Sequence, residues 1–278
     1  MAHDSIAHIR LSSCYLPLAN PISDAKVLTG RQKPMTEIAM LFAEIETRDG
    51  HRGLGFSYAK RAGGPGQFAH AKEVAPALIG EDPSDIAKLW TKLCWAGASV
   101  GRSGLGVQAY GAFDVALYDL KARRAGLSLA KLLGSQRDSV RCYNTSGGFL
   151  HTPIATGEML TSLSEHWDLI RHRAADYLMP DGPRVGGITP FLKIAALAEH
   201  AGLSLGPHFA MELHVHLGAV YATEPWVEHF DWLEPLFNER LEIKDGRMLV
   251  PTRPGLGLSL SEQARAWTRE TAEIGQRA

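Results

Sequence analysis

Three short apolar segments decide the fold of this chain: Pro153-Ile-Ala-Thr-Gly-Glu158, Asp176-Tyr-Leu-Met-Pro-Asp181 and Leu203-Ser-Leu-Gly-Pro-His208. Each segment ends on one ionisable residue. Residues 161–174 and 189–201 lie between them and carry apolar residues three or four positions apart, which predicts helices. The order strand, helix, strand, helix, strand indicates a parallel sheet, because parallel strands need long crossover connections.

Parallel strands end at one edge of a sheet, where barrels and open α/β sheets carry their chemistry. We therefore expect Glu158, Asp181 and His208 to lie close together. A carboxylate bonded to a histidine fixes its tautomer and raises its basicity, which makes Asp181 and His208 a candidate acid/base pair. Glu158 is one strand away and is suited to hold a divalent cation through oxygen. On spacing alone, three unrelated strand-end residues are an equally good interpretation.

The composition is that of an ordinary globular protein, with 278 residues, 45% of them hydrophobic, and a net charge of -1. No basic excess favours nucleic acid as a partner. The three cysteines lack the spacing of a disulfide framework or a zinc site. No apolar run approaches the roughly 20 residues of a membrane span, and the first residues lack a signal-peptide pattern. We therefore expect a cytoplasmic protein without a membrane partner.

The chain before the parallel segments has a different pattern. Residues 6–18, 36–47 and 53–60 predict strands, with a hairpin at Asp49-Gly50, and helical spacing follows. Residues 1–135 thus indicate an α+β domain and residues 136–240 a parallel α/β domain. We expect residues 240–278 to pack back on the first domain, with helical spacing in residues 259–274. Asp114 and Asp119 are expected to be surface or capping charges of one long helix.

Several longer motifs are specific enough to support a family resemblance. They are Ser23-Asp-Ala-Lys-Val-Leu-Thr-Gly-Arg-Gln-Lys-Pro34, Trp95-Ala-Gly-Ala-Ser-Val-Gly-Arg-Ser103, Asp114-Val-Ala-Leu-Tyr-Asp-Leu-Lys-Ala-Arg-Arg-Ala125, Cys142-Tyr-Asn-Thr-Ser-Gly-Gly148, Ala155-Thr-Gly-Glu-Met159, Pro180-Asp181 and Pro207-His-Phe-Ala-Met-Glu212. With them the chain resembles the enolase superfamily, mandelate racemase/muconate lactonizing branch. Within that branch it is most similar to the L-talarate/galactarate dehydratase group.

The resemblance implies an α/β fold in which an N-terminal α+β capping domain covers a TIM-like (β/α) barrel. It implies one Mg²⁺ held by three strand-end carboxylates, and two opposed acid/base groups: a lysine from a Lys-x-Lys strand, and a histidine paired with an aspartate. The implied activity is that of a lyase, a hydro-lyase that removes the proton α to a carboxylate of an acid sugar and then the β-hydroxyl, with epimerisation as a second outcome. The implied partners are a small aldarate substrate and further copies of the chain in a homo-oligomer.

The resemblance also implies roles for individual residues. It makes His208 and Asp181 the catalytic pair and Glu158 the third metal ligand. The implied substrate-binding residues are Glu228, Lys26, Arg31 and Asn144.

The chain departs from the family in the middle of the barrel. No Lys-x-Lys occurs anywhere, and only thirteen residues, Thr145 to Gly157, separate the Asn144 strand from Glu158. The 140 residues after Asp138 are far fewer than the roughly 250 of a complete barrel. The chain is therefore expected to lack about four central βα units, with the join near His151-Thr-Pro-Ile154. We expect an incomplete barrel, weak Mg²⁺ binding and a crippled dehydratase.

Two alternatives stay open at this point. One is a non-catalytic remnant that serves as a scaffold or oligomerisation protein, which a true absence of the central segment favours. The other is a metal hydrolase that uses His208, Glu212, His214 and His216. The pattern argues against this second alternative, because His214 and His216 are two positions apart and would point in different directions on a helix.

Overall fold

The structure is a computed structural model that describes residues 4–23, 25–101, 103–143 and 154–276. The strands are β1 (Ile6–Ile22), β2 (Met35–Thr47), β3 (Arg52–Lys60), β4 (Ser139–Tyr143), β5 (Ala155–Thr156), β6 (Tyr177–Leu178), β7 (Ser204–Leu205), β8 (Trp226–Glu228), β9 (Ile243–Lys244), β10 (Arg247–Leu249) and β11 (Thr268–Gly275). The α-helices are α1 (Ala25–Leu28), α2 (Gly64–Val74), α3 (Ile86–Ala96), α4 (Leu105–Arg124), α5 (Leu129–Leu132), α6 (Leu163–Arg171), α7 (Gly182–Val185), α8 (Ile188–His200), α9 (Met211–Val220) and α10 (Glu262–Ala266). Three short 3₁₀ helices span Ala75–Leu78, Ala98–Val100 and Glu234–Leu236.

The N-terminal part forms a capping domain around an antiparallel sheet in the order β11-β1-β2-β3. The hairpin predicted at Asp49-Gly50 is confirmed between β2 and β3. Helix α4 packs so closely on β3 that a Cβ added at Gly55 would lie only 2.1 Å from the carbonyl oxygen of Ala112. The glycine therefore permits the contact between helix and strand.

The sequence prediction of a helix over residues 259–274 is wrong for its second half. Helix α10 is capped by Ser261, whose Oγ accepts a hydrogen bond from the amide of Ala264 at 3.0 Å, and it ends at Ala266. The next residues form β11, which pairs antiparallel with β1. Ala272 and Ile274 of β11 pack against the capping-domain core. Pairing with the open edge of β1 outweighs the helical spacing, because strand formation depends on tertiary contacts.

The second part of the chain holds the parallel strands. Strands β5, β6 and β7 are parallel neighbours, and β4 is parallel to β8. On its other side, β4 pairs antiparallel with β10, which continues into the hairpin with β9. The described residues thus contain five parallel strands in two separate sheets, whereas a complete barrel of this type has eight strands in one closed sheet.

The two helices predicted between the parallel strands are present as α6 and α8. Helix α6 begins after Ser162, whose side chain accepts a hydrogen bond from the amide of Glu165. One hydrophobic core joins both parts of the molecule: the ring of Phe237 lies 6.2 Å from that of Phe42 and 5.7 Å from that of Phe56. Among the described helices, none has the length and apolar character that crossing a bilayer requires.

Asp114 is buried, whereas the helical pattern had predicted a surface or capping charge. It lies on α4, and its carboxylate accepts hydrogen bonds from the amide and the hydroxyl of Thr189 at 2.8 and 2.7 Å. Asp114 of α4 thus supplies a hydrogen-bond acceptor for a free backbone amide in the first turn of α8. Burial raises the pKa of Asp114 to about 7, and the bonds from Thr189 oppose the rise. Asp114 therefore accepts hydrogen bonds from the first turn of α8 in the barrel part, and it is not a surface or capping charge of α4.

Asp119 is also fully buried, which corrects the same expectation. Its carboxylate accepts from the amides of Leu54 and Leu256 at 2.8 and 2.6 Å, and from Nε of Arg123 at 2.6 Å. The residue therefore ties α4 to β3 and to a loop near the C-terminal end of the barrel part.

Replacing Asp119 by alanine is expected to destabilise the fold by about 2–4 kcal/mol, because two buried backbone amides lose their acceptor. Urea unfolding monitored by circular dichroism measures the loss. Asp138→Ala, at a carboxylate that is 90% exposed, serves as the control with an expected change below about 0.5 kcal/mol. Equal effects of the two substitutions would contradict the described network.

Candidate active site

Four ionisable residues follow the carboxyl ends of parallel strands. Glu158 comes two residues after β5, Asp181 three after β6, and His208 three after β7, whereas Glu228 is the last residue of β8. Nε2 of His208 lies 3.4 Å from Oε2 of Glu158 and 4.0 Å from Oε2 of Glu228. The structure thus brings together all four of these predicted residues.

His208 and Asp181 form a hydrogen-bonded pair. Nδ1 of His208 lies 2.8 Å from Oδ2 of Asp181, and Asp181 is fully buried. An imidazole that donates from Nδ1 to the carboxylate leaves Nε2 as the atom available for proton transfer. That atom faces Glu158 and Glu228.

Asp181 has two further partners that the sequence patterns did not indicate. Tyr58, on β3 of the capping domain, donates its hydroxyl hydrogen to Oδ2 of Asp181. Nε of Arg184 lies 3.6 Å from the same oxygen and donates to the hydroxyl oxygen of Tyr58 at 3.2 Å. Burial alone would raise the pKa of Asp181, but the bond and charge of His208, together with Arg184, hold it below its usual value.

The chemistry of Tyr58 and Arg184 follows from the same network. Burial, and then the charge of Asp181, raise the pKa of Tyr58 well above its ordinary value. Burial alone would lower the pKa of Arg184, but the interactions with Tyr58 and Asp181 are stronger and raise that pKa. Tyr58 is therefore a hydrogen-bond donor and Arg184 a cation, so Asp181 stays ionised.

Lys60 is the second capping-domain residue at this site. It ends β3, and its Nζ lies 3.5 Å from Nε2 of His208 and 4.0 Å from the ring centre of Phe209. Burial, aided by the charge of Arg184, lowers the pKa of Lys60 to about 8 against the opposing effects of Asp181, Glu228 and Glu158. The sequence signal was slight: Tyr58 and Lys60 are two apart on a strand and so share one face.

Glu228 and Phe209 form the other wall. The amide of Phe209 donates to Oε2 of Glu228 at 2.7 Å. Phe209 has a φ of 65°, a left-handed conformation that is rare for a large side chain and is often found at functional sites. This backbone turn directs the amide next to His208 towards Glu228.

The remaining predicted substrate-binding residues are Lys26, Arg31 and Asn144. Arg31 is exposed in the connection between β1 and β2. The backbone of Lys26 lies in α1, and its side chain is outside the described part of the structure. Asn144 lies outside the described residues. Their roles stay predictions.

The histidines of α9 do not support the hydrolase alternative. Nε2 of His214 accepts a hydrogen bond from the amide of Gly182 at 3.0 Å, and Nδ1 of His216 accepts from that of Ala130 at 3.3 Å. Both side chains are fully buried, and burial lowers the pKa of each to about 4. They are neutral structural residues that satisfy backbone amides.

Two protein-family models match the chain. Residues 26–134 match the N-terminal domain of mandelate racemase/muconate lactonizing enzymes, and residues 137–264 match the enolase C-terminal domain-like family. The L-talarate/galactarate dehydratase of Salmonella typhimurium is 49% identical over 372 residues, which cover 99% of this chain and 94% of the relative. The chain belongs to the mandelate racemase/muconate lactonizing branch of the enolase superfamily.

Solved structures of this branch share the fold. The chain is similar to the L-talarate dehydratase of a Polaromonas species complexed with Mg and L-glucarate, at 62% identity and a TM-score of 0.95, covering 99% of this chain and 100% of the other. It is equally similar in structure to the Salmonella enzyme liganded with Mg and L-lyxarohydroxamate, at 48% identity and a TM-score of 0.96, with 100% and 96% covered. A more distant relative, the arabinonate dehydratase of Saccharolobus solfataricus, is 25% identical over 90% of this chain and 95% of its own length. The relatives are dehydratases, and the predicted family and fold class are confirmed.

The alignment with the Salmonella enzyme also shows that this chain lacks residues that the relative has. It spans 372 positions, whereas the chain has 278 residues, so at least 94 positions (372 − 278) lie opposite gaps in this chain. Because the alignment covers 99% of this chain, these gap positions lie within it. The predicted join lies outside the described residues except for Ile154.

The described residues do not fit the magnesium ion that the structures of relatives hold. No group of three or more His, Cys, Asp or Glu side chains that could hold a metal ion occurs among them. The carboxylate of Asp181 is engaged by His208, Tyr58 and Arg184, and that of Glu228 accepts the amide of Phe209. Glu158 is thus the one predicted ligand at the site, whereas Mg²⁺ favours six oxygens in near-ideal octahedral geometry.

Proposed function

We propose that this chain is a homologue of the acid-sugar dehydratases that retains one acid/base group for an aldarate substrate and has lost most of its turnover. The observation that carries the proposal is the His208–Asp181 pair, with Nε2 of His208 facing Glu158, Glu228 and Lys60. The relatives that act on or bind aldarates and their analogues are similar over nearly the whole chain.

His208 is the proton-transfer group in this proposal. Its Nε2 takes the proton on the carbon next to a substrate carboxylate, while Asp181 stabilises the imidazolium that forms. Tyr58 and Arg184 share the charge of Asp181 and fix its position. A base held in this way needs no rearrangement when the proton moves.

Lys60 is the proposed binding group for a substrate carboxylate. Its ammonium form is a compact cation that faces the proton-transfer atom of His208, and an aldarate presents a carboxylate at each end. Glu228 is expected to hydrogen-bond the substrate carboxylate, as the family resemblance implies. Lys26 and Arg31, in the connection between β1 and β2, are expected to contact the other end of the substrate.

The loss of turnover follows from what the site lacks. A general acid or base on the opposite face contributes about 10²–10⁴-fold to rate. The electrostatic stabilisation of developing charge usually contributes most to catalysis, and the described residues do not assemble a metal site to supply it. We therefore expect turnover at or below about one ten-thousandth of that of an intact relative.

A turnover assay on galactarate and L-talarate with Mg²⁺ tests the proposal, with the Salmonella dehydratase in parallel. We expect product at or below about 10⁻⁴ of the rate of that enzyme, and we expect His208→Asn to abolish the residual activity. A thermal-shift titration with galactarate should show binding that Lys60→Met weakens. Rates within tenfold of the intact enzyme would contradict the loss of turnover. Absence of binding, with a trace rate that His208→Asn leaves unchanged, would favour the non-catalytic scaffold instead.

A further inference from the structure

Lys60 differs from the other lysines whose side chains the structure describes, because it lies inside the site. Its Nζ lies 4.0 Å from the ring centre of Phe209, 5.5 Å from that of Tyr58 and 5.9 Å from that of Trp232. Aromatic faces attract a cation, but they do not accept its hydrogen bonds as water molecules would. The amine is therefore held in a less hydrated position than a surface lysine.

The charged groups around Lys60 come from both parts of the molecule. The carboxylates of Asp181, Glu228 and Glu158 favour the ammonium form, and the guanidinium of Arg184 opposes it. Asp181 is itself neutralised by Arg184, by the hydroxyl of Tyr58 and by His208. The net effect, with burial, is a pKa of about 8, compared with 10.5 for an ordinary lysine. The fraction of free amine near neutral pH is thus about two orders of magnitude higher than at a surface lysine.

A proton donor and a route from solvent are both next to the amine. Nε2 of His208 lies 3.5 Å from Nζ of Lys60. Oε2 of Glu158 lies 3.4 Å from the same Nε2 of His208, and the side chain of Glu158 is 45% exposed. We expect a small carbonyl compound to reach the amine and the imidazole past this exposed carboxylate.

We infer that Lys60 is a nucleophilic amine that condenses with the ketone of a small 2-oxo acid to form an imine. The lone pair of Nζ attacks the carbonyl carbon, a C–N bond forms, and the oxygen takes up a proton to give a carbinolamine. His208 then protonates the hydroxyl, which leaves as water while the nitrogen lone pair forms the C=N bond and the amine proton is lost. One amine and one ketone give one imine and one water, so no oxidant or reductant takes part.

This activity needs neither a metal ion nor an opposing base, so it does not depend on the proposed dehydration. A 2-oxo acid is the chemical class that we propose, because its ketone can react with Lys60 while its negative charge is attracted by Arg184, whose charge acts on Lys60. The side chain of Arg184 is mostly buried beside Tyr58 and Asp181, so we expect the ligand to be small.

Reductive trapping tests the inference on the full chain. The protein is incubated with pyruvate and cyanoborohydride, and the adduct is measured by intact mass and located by peptide mapping. We expect one carboxyethyl group on Lys60, formed at least about tenfold faster than on Lys72. Lys72 is a suitable comparison because it also lies over an aromatic ring, that of Phe68 at 4.9 Å, but on an exposed surface.

Two variants complete the test. Lys60→Arg keeps the positive charge but cannot form the imine, so the adduct should disappear, whereas Lys72→Arg should leave it unchanged. Adducts spread over the surface lysines, or the same yield in Lys60→Arg, would overturn the inference, as would no adduct in the unmodified chain. The peptide map of the chain without substitutions is sufficient to test the inference. The test therefore remains valid even if a variant fails to fold.

Discussion

Replacing Asp181 by alanine is expected to destabilise the protein by about 3–5 kcal/mol, the cost of leaving a buried charge without its counter-charge. Asp181 is fully buried and is the common partner of His208, Tyr58 and Arg184. Without it, the guanidinium of Arg184 and the hydroxyl of Tyr58 lose an acceptor between the capping domain and the barrel part. Chemical unfolding followed by tryptophan fluorescence measures the change.

Two further variants separate the charge from the shape of Asp181. Asp181→Asn keeps the side-chain size but removes the charge, so it should lose a large share of the same stability. Asp138→Ala is the matched control, since the side chain of Asp138 is 90% exposed and pairs with Lys131 at the surface; it should change stability by less than about 0.5 kcal/mol. A loss below about 1 kcal/mol for Asp181→Ala would show that the four-residue network does not hold the two parts together.

Replacing Glu212 by glutamine is expected to stabilise the protein at alkaline pH by up to about 5 kcal/mol. Glu212 lies in the first turn of α9 and is 3% exposed, and no other residue in the described part of the chain donates a hydrogen bond to its carboxylate. Burial raises its pKa from 4.5 to about 8. The folded protein therefore prefers the neutral carboxyl, whereas the unfolded chain ionises near pH 4.5.

The sign of the pH effect follows from that shift. The folded-state pKa lies above the unfolded value, so the stability of the native chain is fully present below about pH 4.5 and falls as the pH rises to about 8. Glutamine does not ionise, so the difference between variant and native chain should grow over this window. Urea unfolding at intervals from pH 5 to about 9 measures the difference. Glu262→Gln, at an exposed glutamate of α10, should show none of it, and a difference that does not change with pH would contradict the assigned burial of a neutral Glu212.

The order of elements was largely readable from the sequence, and the reasons are local. The spacing of apolar residues predicted α6 and α8, and the alternation of short apolar segments with those helices predicted the parallel β5, β6 and β7. The helix expected over residues 259–274 failed because the edge of β1 is a tertiary feature that no local pattern reveals. Asp114 and Asp119 were misplaced for the same reason, since the amides they accept from belong to distant segments.

The candidate site was predicted in part. Glu158, Asp181, His208 and Glu228 lie at the ends of parallel strands. The alternation of strands and helices along the sequence was therefore enough to predict that they lie close together. Tyr58, Lys60 and Arg184 were missed, because their place depends on how β3 of the capping domain docks on the barrel strands. No spacing within one segment can show that docking.

The proposed function requires that the site keeps its histidine–aspartate pair but not a magnesium site. Isothermal titration of Mg²⁺ into the chain, with the Salmonella dehydratase titrated in parallel, addresses this requirement without relying on turnover. We predict no saturable binding at about millimolar Mg²⁺ for this chain, because Glu158 is the one predicted ligand available where six oxygens are required. One ion bound per chain with an affinity like that of the intact relative, lost in Glu158→Gln, would show instead that the metal site survives.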